Sequence, residues 1–275
     1  MSELYKNFLP DSPEEFKVTY DPKLGLIAEE VWNRINAEEQ IVPYRFNQGK
    51  PWRSHFGEIS IKDLPNKLSE ETHRYIVENL FSYLGFEPKG SPPYFLNADI
   101  MEDAGPASKA RFTVSRVPTI LNKYPANQLP PDCDGWVSAT WHMDFGHDLD
   151  TYKFIIYVND VEPDSGGILF TDPLITPHLP DGRFTWEYEG GLPVLENGYA
   201  TNLIFNTDTV DIDEVNITEV TGKKGTVVCF NSHIAHTANP PETGYRKALH
   251  LVVKGPPAKP YIYGHMNQLR TLDES

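Results

Sequence analysis

The residues best suited to chemistry in this 275-residue chain are two histidines, one aspartate and one arginine. His142 and Asp144 are separated by one residue, His236 follows far downstream, and Arg246 comes ten residues after His236. Two imidazoles and one carboxylate can hold one face of a divalent metal and leave its other positions for a co-substrate and dioxygen. The planar fork of an arginine can bind a carboxylate bidentately. The spacing therefore predicts a metal site with an open coordination face and a cation beside it.

Strand geometry explains how these side chains could converge. Side chains alternate along a strand, so His142 and Asp144 point to the same side at the end of a β-rich run. We predict that Arg246 lies on the second strand of a hairpin turning through residues 239–244, which would return it to the metal. The same alternation sends Lys247 to the opposite face.

The remaining histidines have weaker claims to a catalytic role. His233 lies close to His236 and competes with it as a ligand, but we interpret it as a polar residue at a strand end or beside the site. Four others have no partner at ligand spacing and are predicted to be surface or structural residues: His147, His178, His250 and His265.

Two helices are predicted before residue 86. Apolar residues recur at three- and four-residue steps over Leu24 to Ala37, which is typical of a helix with one buried stripe. Ser69 can cap a second helix that Gly85 ends. The proline-rich stretch 87–93 cannot continue it and is predicted to be a linker.

From Tyr94 onward, short β-rich runs alternate with turn residues. This texture predicts a mainly β fold, an antiparallel sandwich or barrel, with flanking N-terminal α-helices. We expect one structural domain, in which a helical and linker segment (1–93) packs on a core of residues 94–275. The predicted strands are Tyr94–Ile100, Arg111–Leu121, Trp136–His142, Lys153–Asn159, Gly166–Thr171, Ala200–Phe205, Val215–Val220, Thr226–Phe230 and Ala248–Lys254.

Composition excludes several classes of protein. Hydrophobic residues make up 39% of the chain and aromatic residues 12%, which is typical of a folded globular protein. A formal charge of −15 would repel nucleic acid and anionic membrane surfaces. The N-terminus lacks the features of a secretory signal, and no apolar run could cross a bilayer, so we expect a cytoplasmic protein. Cys133 and Cys229 are interpreted as reduced thiols, with Cys229 in the core.

Taken together, these motifs resemble the Fe(II)/2-oxoglutarate-dependent oxygenase superfamily, and in particular its prolyl-hydroxylase-like and phytanoyl-hydroxylase-like branches. The resemblance covers about residues 111–255 and includes the strand 154–160, which leads to Ser165-Gly166-Gly167. It implies a double-stranded β-helix, a cupin-like jelly-roll with the site in its mouth. His142, Asp144 and His236 would then bind Fe(II), and Arg246 would bind the distal carboxylate of 2-oxoglutarate.

The activity implied by the resemblance is a dioxygenase reaction. 2-Oxoglutarate and dioxygen would be consumed, succinate and carbon dioxide released, and an unactivated C–H bond of a small molecule hydroxylated. The substrate would be an amino acid derivative or a natural-product intermediate. Halogenating relatives have a small residue at the carboxylate position, so Asp144 argues against halogenation.

Further contacts are predicted around this centre. Asn122, Tyr124 and Lys153 are candidates for holding the co-substrate, and Arg116 is a candidate for a substrate carboxylate or phosphate. Phe145 and Trp186 could line an apolar pocket. The long loop 173–198 is a candidate lid over the site.

Two other readings of the sequence stay open. A cupin-like metalloenzyme would use the same scaffold without 2-oxoglutarate, although its usual HxH cluster with a glutamate is absent here. In a non-catalytic jelly-roll binding module, the histidines would have no catalytic role. The order of His142, Asp144, His236 and Arg246 along the chain favours the oxygenase.

Overall fold

The structure, a computed structural model, describes residues 4–13, 15–38, 42–45, 51–55, 59–60, 67–86, 95–102, 151–172, 174, 184–185, 204–205, 216–232, 234, 236–239 and 244–254. Within these ranges the chain is mainly antiparallel β-structure with helices near the N-terminus. Among the described residues, no helix combines the length and the apolar composition needed to cross a membrane.

Two helices form where the sequence predicts them. The first, α1 (Pro22–Ala37), begins at Asp21, whose carboxylate accepts hydrogen bonds from the amides of Lys23 and Leu24. The second begins after Ser69 with α2 (Glu70–Tyr75), continues through a π-helical stretch (Ile76–Phe81) and ends in a last α-helical turn (Ser82–Leu84). Gly85 then adopts a left-handed conformation with φ of 85°, which a glycine reaches without strain.

The larger sheet contains eight of the described strands, in the order β1-β11-β6-β13-β5-β3-β2, with β4 paired to β5. Its central strands agree with the predicted β-rich runs. The strands are β1 (Phe16–Tyr20), β2 (Val42–Arg45), β3 (Pro51–His55), β4 (Ile59–Ser60), β5 (Phe95–Glu102), β6 (Thr151–Tyr157), β11 (Thr226–Asn231) and β13 (Tyr245–Lys254).

A smaller sheet has the order β10-β7-β12, formed by β7 (Ile168–Asp172), β10 (Asn216–Val220) and β12 (His236–Ala238). From β6 onward the chain enters the smaller sheet at β7 and β10, returns to the larger at β11, and then visits β12 and β13 in turn. This alternation between two antiparallel sheets is that of a jelly-roll. The chain therefore has the mainly β, double-stranded β-helix fold with flanking N-terminal helices that the sequence predicts.

Each face of the larger sheet covers a separate apolar cluster. Phe154, Ile156 and Leu249 point toward the helices, while Ile155 and Tyr157 point toward the smaller sheet. We call the sides of the two sheets that face each other the inner face. Its apolar residues are Ile155, Tyr157, Val161, Ile168, Phe170, Val220, Val228, Phe230, Ile234 and Ala248. Inner and outer residues alternate along β6, β11 and β13, which fixes the side to which every side chain on them points.

The predicted hairpin between His236 and Arg246 is wrong. β12 pairs with β7 in the smaller sheet, whereas β13 pairs with β5 and β6 in the larger one. The connection therefore crosses between sheets, and His236 and Arg246 approach the inner face from opposite sides.

The N-terminal segment also contributes more than the predicted helices. β1 pairs along its whole length with β11, and β3 pairs with β5, so residues before 94 extend the larger sheet at both edges. The predicted linker 87–93 and the predicted strands 111–121 and 136–142 lie outside the described residues. Most of the candidate lid also does, although its residues Phe184–Thr185 form β8 and pair with β9 (Ile204–Phe205).

Candidate functional site

His236 projects from β12 onto the inner face, where it is 4% exposed. Its ring meets that of Phe230 edge to face, with 4.6 Å between centroids. Nδ1 lies 2.8 Å from the carbonyl oxygen of Ile234. Because a carbonyl oxygen can only accept, this contact places the proton on Nδ1 and makes Nε2 the basic nitrogen. A backbone carbonyl on one nitrogen is how proteins orient a histidine that binds metal through the other.

Arg246 projects from β13 onto the same inner face and is 2% exposed. Its Nη1 donates to the carbonyl oxygen of Gly166 at 3.0 Å, and its Nη2 donates to Oδ2 of Asp99 at 2.8 Å. Nε is buried and has no hydrogen-bond partner among the described residues. Lys247 points the other way and places its ammonium 4.2 Å from the ring centroid of Trp32, as strand alternation predicts.

Asp99 and His250 join Arg246 in one buried charged cluster. Asp99 lies on β5 opposite Ala248, and its side chain is 1% exposed. Nε2 of His250 lies 2.9 Å from Oδ1 of Asp99. Burial lowers the pKa of His250, and Asp99 opposes this effect while Arg246 and Lys153 add to it. His250 is therefore neutral near pH 7, and Arg246 is the cation that pairs with Asp99.

The carbonyl that accepts from Arg246 belongs to a braced turn before β7. The carboxylate of Glu219, on β10, accepts from the amide of Asp164 at 3.0 Å and from that of Gly167 at 3.2 Å. Asn239, just after β12, donates from Nδ2 to the same carboxylate at 3.0 Å. A Cβ on Gly167 would lie 2.6 Å from Cγ of Glu219, so only glycine fits there. Glu219 thus fixes the turn on both sides of Gly166.

Tyr157 ties the two sheets together beside this cluster. Its hydroxyl donates to the carbonyl oxygen of Val220 at 2.6 Å and accepts from the amide of Ile168 at 3.3 Å. Burial raises the pKa of Tyr157 to about 12, against a smaller lowering by Arg246. The phenol therefore stays protonated and acts as a fixed neutral bridge between β6 and the smaller sheet.

Lys153 is the third predicted site residue that the structure describes. It lies on β6 directly opposite Phe230 of β11, and directly opposite residues share a face of the sheet. Lys153 therefore points to the inner face and is partly exposed. His236, Arg246 and Lys153 thus all face inward from three strands, with Lys153 opposite Val252, six residues beyond Arg246 on β13.

The other predicted site residues lie outside the described residues: His142, Asp144, Asn122, Tyr124, Arg116, Phe145 and Trp186. Among the residues that are described, no three His, Cys, Asp or Glu side chains converge as metal ligands. A metal site centred on His236 therefore depends on ligands from the rest of the chain.

Several solved structures are similar to this chain, and enzymes that use iron and alpha-ketoglutarate are among them. The non-heme alpha-ketoglutarate-dependent carbocyclase SnoK from nogalamycin biosynthesis shares 12% identity at a TM-score of 0.47, covering 92% of this chain and 84% of SnoK. AviO1 from Streptomyces viridochromogenes Tue57 shares 13% identity at a TM-score of 0.43, covering 94% of this chain and 96% of AviO1. EctD from S. alaskensis, crystallised with bound Fe, shares 12% identity at a TM-score of 0.43, covering 89% of this chain and 77% of EctD.

No protein-family model matches the sequence, and no curated protein matches it.

The sequence prediction missed Asp99 and His250 as members of the cluster. One local signal was present, because His250 lies four residues after Arg246 and strand alternation places both on one face. Asp99 also interrupts an apolar strand, where a carboxylate needs a partner. The partner itself is 147 residues away, and no local pattern predicts a contact at that separation.

Proposed function

We propose that the chain is an Fe(II)- and 2-oxoglutarate-dependent oxygenase that hydroxylates an unactivated C–H bond of a small molecule. The observation that carries the proposal is the joint orientation of His236 and Arg246. Both are buried, and both project from opposite sheets onto the inner face of a jelly-roll. An imidazole oriented for metal binding and a buried arginine that can still donate are the two groups that such an enzyme needs there.

His236 fits the role of an iron ligand. The contact of its Nδ1 with Ile234 sets the tautomer in which Nε2 can bind a metal, and the ring of Phe230 limits rotation of the imidazole. His142 and Asp144 complete the proposed ligand set, which leaves one face of the metal open.

Arg246 fits the role of the co-substrate anchor. Its buried Nε has no hydrogen-bond partner among the described residues, and an unsatisfied buried donor is costly. A carboxylate oxygen would satisfy this donor with a charge-assisted hydrogen bond. Lys153, also on the inner face, is a second cation that we propose for the co-substrate, together with Asn122 and Tyr124.

Iron with 2-oxoglutarate and dioxygen would supply the oxidising power for C–H cleavage, with succinate and carbon dioxide as products. The residues of this chain would orient the reactants and keep water away from them. Tyr157 keeps the two sheets together as a neutral bridge, and the packed aromatic rings of Phe170 and Phe230 exclude water beside His236. We assign Arg116, Phe145 and Trp186 to the substrate and loop 173–198 to a lid as parts of the same proposal.

The proposal treats the whole chain as one domain, in which residues 1–93 pack on a catalytic core of residues 94–275. Pairing of β1 with β11 and burial of α1 against the larger sheet support this arrangement.

Succinate release tests the function. The purified protein is incubated aerobically with Fe(II) and 2-oxoglutarate, first alone and then with a panel of amino acid derivatives and natural-product intermediates. We expect slow release without substrate and faster release with the right compound. His236→Ala should reduce release to the background rate, and His73→Ala, a matched change on α2 away from the inner face, should leave it unchanged.

Two outcomes would contradict the proposal and point to the alternatives. Metal binding without any consumption of 2-oxoglutarate would favour a cupin-like metalloenzyme. The absence of both metal binding and turnover would favour a binding module.

A further inference from the structure

Asp99 is held at three points in the interior of the protein. Its backbone carbonyl accepts from Nε1 of Trp32 on α1 at 3.1 Å, which fixes its position along β5. Its Oδ2 accepts from Nη2 of Arg246 at 2.8 Å, and its Oδ1 lies 2.9 Å from Nε2 of His250. These contacts hold the Asp99 carboxylate in place. The carboxylate can therefore restrain the guanidinium of Arg246.

A second fixed acceptor holds the guanidinium of Arg246 through its other terminal nitrogen. Nη1 donates to the carbonyl of Gly166, and Glu219 braces the turn that carries this carbonyl. An arginine side chain has many rotamers, and it binds a ligand better when that conformational freedom is already lost. The two acceptors therefore fix the plane of the guanidinium before any ligand arrives.

In the fixed guanidinium, the Nε atom is buried and has no hydrogen-bond partner among the described residues. We propose that Asp99 is a positioning residue for Arg246, which holds the guanidinium so that Nε receives the carboxylate of 2-oxoglutarate. This inference rests on the proposed function and extends it to a residue that touches neither metal nor co-substrate.

The competing view is that Asp99 only neutralises Arg246 and weakens anion binding. The two views differ in whether the position or the charge of the carboxylate matters. Three substitutions separate these properties: Asp99→Ala removes both, Asp99→Asn keeps an oxygen acceptor in place without the charge, and Asp99→Glu keeps the charge but displaces the carboxylate by one methylene.

The experiment measures the Kd of 2-oxoglutarate for the Fe(II)-loaded protein under anaerobic conditions, together with KM and kcat for succinate release. We expect Kd and KM to rise about tenfold in Asp99→Ala and about fivefold in Asp99→Glu, and to stay within about threefold of wild type in Asp99→Asn. In all three, kcat at saturating 2-oxoglutarate and the affinity for Fe(II) should stay within about twofold. Asp160→Asn is the matched control, because Asp160 is exposed and its carboxylate accepts the amide of Lys224, away from the Arg246 cluster.

The outcomes are distinct. Tighter binding in Asp99→Ala and Asp99→Asn with no change in Asp99→Glu would show that charge alone matters and overturn the inference. A lower melting temperature with wild-type Kd in every variant would reduce Asp99 to a structural residue and also overturn it. If Asp99→Ala does not fold, the comparison of Asp99→Asn with Asp99→Glu still decides, because the inference expects weaker binding of 2-oxoglutarate in Asp99→Glu and the competing view expects tighter binding in Asp99→Asn. A wild-type protein that does not bind 2-oxoglutarate would overturn both this inference and the proposed function.

Discussion

Arg246 and Asp99 form an ion pair of 2.8 Å inside the jelly-roll, with side chains only 3% and 1% exposed. The two residues come from adjacent strands, β13 and β5, and both point to the inner face. Burial of a charged pair at this depth removes the solvation free energy of both groups, and their mutual attraction offsets this loss only in part. Its position next to the proposed co-substrate site is therefore better explained by function than by stability.

Removal of one partner from this pair is expected to destabilise the protein strongly. Arg246→Leu leaves the Asp99 carboxylate buried without its arginine, at a cost of about 3–5 kcal/mol in the free energy of unfolding. The double variant Arg246→Leu with Asp99→Leu should recover most of this loss, because no buried charge is left behind. Urea denaturation measures both. A double variant as unstable as Arg246→Leu would contradict the explanation.

The hydrogen bond from Trp32 to the backbone of Asp99 predicts a second stability effect. Trp32→Phe keeps an aromatic ring on α1 but removes the buried hydrogen bond from Nε1 to the carbonyl of Asp99, at a cost of about 0.5–1.5 kcal/mol. Tyr20→Phe, which alters an exposed ring on β1, should change stability by less than about 0.5 kcal/mol. Equal melting temperatures for Trp32→Phe and wild type would show that this hydrogen bond is unimportant.

The secondary structure could be predicted largely because its signals are local. The apolar stripe of α1, the cap at Ser69 and the stop at Gly85 lie within a few residues of the elements that they define. β1 was not predicted, since its partly exposed residues form a strand only by pairing with β11 more than 200 positions later. Local propensity carries no information about such a partner.

The candidate site was predictable to a similar extent. Strand alternation was enough to place Arg246 on one face and Lys247 on the other, and both orientations are confirmed. The hairpin that should have joined His236 to Arg246 is wrong, because a jelly-roll passes successive strands to opposite sheets. The contacts of Asp99 with Arg246 and His250 depend on the tertiary pairing of β5 with β13.

His250 predicts a specific loss of stability in acid. Burial lowers the pKa of this histidine below the ordinary value of 6.5 and outweighs the opposing effect of Asp99. Below pH 6.5 the side chain of residue 250 takes up a proton in the unfolded chain but stays neutral in the folded protein. The contribution of His250 to stability is therefore present above pH 6.5 and is lost as pH falls through the folded pKa. The loss is on the order of 1 kcal/mol per pH unit in that window.

A comparison of wild type with His250→Gln measures this contribution. Free energies of unfolding are determined between pH 7.5 and 5, and the variant should show the shallower decline. Parallel curves would mean that His250 does not titrate differently in the folded and unfolded states.

The most direct test of the account is an anaerobic titration of the protein with Fe(II) and 2-oxoglutarate. The oxygenase assignment predicts a visible charge-transfer band in wild type that is lost in His236→Ala and in His142→Ala. It also predicts that Arg246→Lys, which keeps the charge but lacks the planar fork, forms the band only at higher 2-oxoglutarate concentration. A band of full intensity in His236→Ala, or none in wild type, would contradict the central claim that His236 and Arg246 serve one iron and 2-oxoglutarate site.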